Sequence, residues 1–175
     1  GLGRFLVDAG MAAALGNAYG CTPTAAIITP FFIGVFADRF MNAEKLQGVL
    51  LFFSGVFIAL APSFANPDDA NIFVNLLLAH ALCFMPTLSL SNTICLKHLA
   101  NAATEYPRVR IFATLGWIFA GLSISYVFNF DTSANQCYVS AGAAFIVAAY
   151  SFFLPKTPPP AKGEKLRSGD LIATS

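Results

Sequence analysis

Arg110, Thr114 and Trp117 fall four and then three residues apart in the run Pro107-Arg-Val-Arg110-Ile-Phe-Ala-Thr114-Leu-Gly116-Trp117, so a helix carries all three on one face. That face offers a forked guanidinium, a hydroxyl and a large ring. Such a set suits a polar, planar ligand, because the ring stacks while the guanidinium and hydroxyl fix orientation. Arg110 also falls in the first turn of its expected helix, where the macrodipole disfavours a cation. A local rule broken in this way often marks function. A plainer account fits the same residues: Arg110 reaches up to a membrane surface and Trp117 packs inside a bundle.

Two further groups have chemistry to offer. Met85-Pro86-Thr87-Leu88-Ser89-Leu90-Ser91-Asn92-Thr93 places polar side chains on consecutive turns beside a proline that frees a carbonyl. This suits a helix lining a cavity, although hydrogen bonding between helices accounts for Asn92 as well. His80 is the one ionisable residue deep inside an apolar stretch, which makes it a functional suspect or a neutral, hydrogen-bonded strut. Gly34, Asp38 and Arg39 stand at the end of another stretch. Gly34 lets a neighbouring helix come close, and Asp38 is an acceptor able to face a helix N-terminus or an arginine. The same pattern also fits a charged loop at a helix end.

The elements that must position these residues are five apolar stretches of bilayer length: Ala13–Phe36, Leu46–Ala65, Ile72–Leu96, Ile111–Phe130 and Cys137–Leu154. A helix rising about 1.5 Å per residue crosses about 30 Å of hydrocarbon in about 20 residues. Hydrophobic residues make up 57% of the chain and charged ones 11%. Soluble domains carry about 25% charged residues, so this composition leaves too little polar surface to face water. Barrel strands need only about ten residues of alternating polarity, and these runs are apolar all round. An all-α, polytopic membrane bundle follows.

Nine of the ten Lys and Arg fall in alternate loops or in the tail, and the other loops hold none. The positive-inside rule assigns that face, and the tail, to the cytoplasm. Gly1–Ala12 is then external. An odd number of spans and a start at Gly1 rather than Met lead to the expectation of an earlier span upstream.

Gly116, Ala120, Gly121 and Ala141–Ala144 are expected to allow close helix approach, and Pro23 and Pro30 to kink the first span. Pro155–Lys165, with three consecutive prolines, reads as a flexible, partly extended linker, and 155–175 as the cytoplasmic connection to a further half. Cys21, Cys83, Cys95 and Cys137 lack CxxC spacing and read as small packing residues. A net charge of +1 without a basic cluster argues against nucleic acid.

Together these residues resemble the nucleoside:proton symporter family of the major facilitator superfamily. The resemblance rests on Gly16-Asn-Ala-Tyr19, Pro30-Phe-Phe-Ile-Gly34-Val-Phe-Ala-Asp38-Arg39, Phe84-Met-Pro-Thr-Leu-Ser-Leu-Ser-Asn92-Thr93 and the Arg110 run, over about Gly16 to Pro155. Gly34, Asp38 and Arg39 match the superfamily's G-x-x-x-D-[RK] loop signature. The usual continuation, G-[RK]-[RK], is replaced by Phe40-Met-Asn-Ala-Glu44.

The resemblance implies that the five stretches are helices two to six of a twelve-helix transporter, with the first helix and the C-terminal half missing. It implies that Arg110 and Thr114 bind a nucleoside's polar groups. Trp117 stands at an aromatic position that is usually Phe. It further implies proton-coupled uptake by alternating access, with no cofactor beyond the proton gradient, in the plasma (bacterial inner) membrane. The acidic coupling residue is expected in the missing half.

Two other readings remain open: a transporter of a sugar or other small polar metabolite, and a non-transporting membrane scaffold or subunit. An enzyme is the least supported class, since no nucleophile–base pair, metal cluster or Gly-rich phosphate loop is present.

Overall fold

The computed structural model of the chain describes residues 1–39, 42–130 and 132–158, with the backbone alone over 30–39. A short helix α1 (Leu2–Asp8) and a 3-10 turn (Ala12–Ala14) lead into α2 (Leu15–Arg39), α3 (Ala43–Leu60), α4 (Asn71–His98), α5 (Ala102–Leu122) and α6 (Asn135–Ser151). A 3-10 turn (Ala61–Phe64) extends α3, and a π segment (Ser123–Val127) extends α5. No strand occurs among the described residues. Three helical stretches, Ala43–Phe64, Asn71–His98 and Ala102–Val127, are long and apolar enough to cross a membrane.

α3 packs against both α4 and α6, and α4 packs on its other flank against α2. The contact between α3 and α6 is made close by Gly48 and Gly55, seven residues apart on one face of α3. A Cβ at Gly48 would stand 2.9 Å from the Phe152 ring, and one at Gly55 would stand 2.9 Å from the Phe145 ring. The small residues expected to serve this purpose do not all do so. Gly116, Gly121 and Gly142 have nothing within 4 Å of where a Cβ would be, while Ala141 is buried. For Gly116 and Gly121 the physical reason is that α5 buries no residue at all.

The main apolar cluster draws Ala18, Cys21 and Ala25 from α2, Phe73, Leu77 and Ala81 from α4, and Cys137 and Ala141 from α6. α1 joins it. Leu6 and Met11 are fully buried, and the Phe5 ring lies 6.1 Å from that of Phe73. The segment Gly1–Ala12 thus contributes to the core. Gly10 makes the turn that follows α1 at φ +75°, a left-handed conformation that glycine adopts without strain.

The fourth expected stretch begins earlier than its apolar residues suggest. α5 starts at Ala102, and Pro107 lies within it instead of before it. As the sixth residue of the helix it lies beyond the first turn, and its missing N–H leaves the Ala103 carbonyl without an i+4 donor. Asn101 flanks that start, and its N–H reaches the Glu105 carboxylate at 3.4 Å. Arg110 consequently sits eight residues beyond the helix start, clear of the first turn, and the macrodipole argument attached to it does not apply.

The stretch after α6, expected to be flexible, is held in place at 155–158. Thr157 is fully buried, and Lys97 Nζ donates to the Pro158 carbonyl at 2.9 Å. The rest of the expected linker, 159–175, lies outside the described residues, as does Asp131.

Candidate ligand-binding cavity

α4 presents Leu88, Ser91, Asn92 and Cys95 on one face by its helical repeat. Across from them α5 presents Tyr106, Arg110, Thr114 and Trp117. The two faces meet only lightly and flank an open cavity of about 530 Å³. Small-molecule sites run from about 300 to 1,000 Å³, so the space is of ligand size.

The four α5 side chains keep most of their polar capacity. Among the described residues the Arg110 guanidinium meets no carboxylate. The Thr114 hydroxyl donates to the Arg110 carbonyl at 2.9 Å, which leaves its oxygen lone pairs free to accept from a ligand. Trp117 is 81% exposed, so its ring face is free for stacking. On α4, Ser91 receives a hydrogen bond at 3.0 Å from Nε2 of Gln47 on α3. Asn92 is exposed on the cavity wall, and the interhelical bond considered for it is not formed among the described residues.

The structure thus brings Arg110, Thr114, Trp117 and Asn92 together and leaves His80 elsewhere. His80 Nδ1 lies 2.9 Å from Ser54 Oγ and 3.0 Å from the Ser54 carbonyl, while its ring stacks on Phe84. Through Ser54 the ring ties α4 to α3. His80 lines a separate cavity of about 240 Å³ with Cys21, Thr22, Gln136, Cys137 and Ser140. Gly34, Asp38 and Arg39 lie in the last part of α2, and their side chains are outside the described residues.

The sequence does not point to Tyr106, and it marks Cys95 only as a small packing residue, whereas both line the cavity. Tyr106 precedes Arg110 by one helical turn, on the part of α5 that lies ahead of the apolar stretch beginning at Ile111. Cys95 lies one turn beyond Asn92, a spacing that was available to be read. All four cysteines are free, and no group of residues able to hold a metal is found among the described residues.

Comparison with known proteins agrees in sequence and in fold. The Nucleoside H+ symporter family matches residues 1–171. YegT of Escherichia coli (strain K12) is 34% identical over 156 residues, covering 86% of this chain and 36% of that protein. Xanthosine permease of the same organism is 32% identical over 148 residues, covering 82% of this chain and 34% of the permease. A crystal structure of a point mutant of the nucleoside transporter NupG superposes with a TM-score of 0.85 at 26% identity, over 97% of this chain and 42% of that one. The chain spans about a third of the length of the curated relatives it matches. Matched in sequence over residues 1–171 and in fold over nearly its whole length, the chain belongs to the nucleoside H+ symporter family.

Proposed function

We propose that this chain supplies one wall of the substrate cavity of a proton-coupled nucleoside transporter. What carries the reading is the gathering of Arg110, Thr114 and Trp117 opposite Asn92 across one ligand-sized space. The guanidinium and the Thr114 oxygen engage the polar edge of the nucleoside, and the Trp117 ring packs against its base or sugar.

In this reading α2 and α6, of 25 and 17 residues, cross the bilayer beside α3, α4 and α5, giving five spans. They correspond to helices two to six of a twelve-helix transporter of the major facilitator superfamily, in the plasma (bacterial inner) membrane. The basic loops and the tail lie in the cytoplasm. A second helical half closes the cavity, and alternating access follows from the rocking of one half against the other. Asp38 and Arg39, on the α2–α3 side, act at the cytoplasmic gate. The proton gradient drives uptake.

The test is transport by the full-length gene product. Cells expressing it take up labelled uridine or adenosine faster than cells without it, and a collapsed proton gradient removes the difference. Uptake no faster than the control contradicts the reading. Competition by free sugars but not by nucleosides would assign a sugar instead.

A further inference from the structure

Gln47 lies outside the cavity, on α3, and is buried with only 6% of its surface exposed. Its Nε2 donates to Ser91 Oγ at 3.0 Å, whereas its Oε1 is buried without a partner among the described residues. A buried amide that is only half satisfied is costly, and an apolar side chain would fill the same place. Of the two orientations open to the amide, this one leaves a carbonyl oxygen unpaired and not an NH₂ group. That is the less costly orphan, since under-satisfied acceptors are tolerated better than bare donors.

The helical hydroxyls divide into those that donate to their own helix and those, such as Ser54 and Ser91, that pair with a side chain of another helix. Thr87, Thr93, Thr114, Ser123, Ser140 and Ser151 each donate to a carbonyl three or four residues earlier in their own helix. Ser91 does not; its recorded hydrogen bond is the one it accepts from Gln47. Because Gln47 occupies a lone pair, the Ser91 O–H is left to donate, and Ser91 lines the cavity beside Asn92. Across the space Thr114 has the opposite polarity, its proton committed to its own helix and its oxygen open.

We infer that Gln47 is a positioning residue that fixes Ser91 as a hydrogen-bond donor into the Arg110 cavity, so that the ligand must present an acceptor to α4 and a donor to Thr114. The inference rests on the nucleoside reading above and deepens it. Nucleosides carry both kinds of group, as base carbonyls or ring nitrogens and as sugar hydroxyls or base N–H. A role confined to holding α3 against α4 would also use the Gln47–Ser91 bond, but it would not act on ligand affinity.

The experiment is uridine uptake against concentration in cells expressing the full-length gene product, with transporter abundance in the membrane measured alongside. Ser91→Ala and Gln47→Met each raise KM about fivefold, the worth of one neutral hydrogen bond, and leave the maximal rate per transporter unchanged. The double variant raises KM no further than Ser91→Ala alone, because Gln47 acts through Ser91. Gln47→Leu replaces Gln47→Met if the latter fails to reach the membrane. Unchanged KM in the single variants, or effects that multiply in the double variant, overturn the inference while uptake by the wild type still supports the nucleoside reading. No uptake by the wild type overturns both.

Discussion

The Glu44 carboxylate accepts the backbone N–H of Thr157 at 2.9 Å, joining the start of α3 to the segment that follows α6. The Ala43 N–H donates to the Thr157 carbonyl at 3.1 Å, and the second Glu44 oxygen accepts from Asn42 Nδ2. Glu44 and Thr157 are both buried, and Leu154 packs on the nearby cluster of Ala43, Leu46, Leu90 and Ile94. A carboxylate in the first turn of α3 also lies at the favourable end of that helix's dipole.

Glu44→Ala removes a buried acceptor shared by two donors, a loss of about 1.5–3 kcal/mol for a charge-assisted hydrogen bond. The segment then comes away from α3, and the Lys156–Thr157 bond opens to protease. Trypsin cleavage followed by mass spectrometry in detergent checks this. Faster cleavage at Lys156 in the variant is expected, and an unchanged rate means that the segment is held without Glu44, by the Ala43–Thr157 and Lys97–Pro158 hydrogen bonds and its apolar contacts.

Gly55→Ala places a methyl group 2.9 Å from the Phe145 ring, where the ring must shift or α3 and α6 must separate. Overpacking of this kind costs about 1–3 kcal/mol. A lower melting temperature of the purified protein is expected, with recovery when Phe145→Leu is added. The same substitution at Gly116, which faces open space, leaves the melting temperature in detergent unchanged or slightly raised, because alanine is the better helix former.

Cys95 gives a chemical report on the cavity. It lines the space beside Asn92 and is partly exposed, while Cys21 and Cys137 are buried. In a variant that retains Cys95 as its sole cysteine, saturating uridine slows alkylation by a small maleimide. Equal rates with and without the nucleoside place the ligand elsewhere.

How far the site could be read in advance depended on whether one helix was enough to define it. Arg110, Thr114 and Trp117 needed only the helical repeat, and their shared face is where the cavity opens. Tyr106 belongs to that face but is hidden in the sequence, because Pro107 and the charges around it mask the start of α5. Relationships between helices were out of reach. The Gln47–Ser91 bond, the aromatic rings against Gly48 and Gly55, and the Glu44–Thr157 pair all depend on the register of one helix against another. Apolar periodicity does not encode that register when every face is apolar. His80 shows the same limit: its depth in the span was legible, and its partner Ser54 was not.

The central claim is that the α4–α5 cavity binds a nucleoside through Arg110. The most direct measurement is the equilibrium affinity of the purified full-length gene product for uridine, with and without Arg110→Ala. A hydrogen bond to a charged group is worth about 1.5–3 kcal/mol, so the variant is expected to bind about 10- to 100-fold more weakly while keeping its helical content and membrane insertion. An unchanged Kd for the variant would contradict the account and leave Arg110 as a side chain that merely reaches toward the membrane surface.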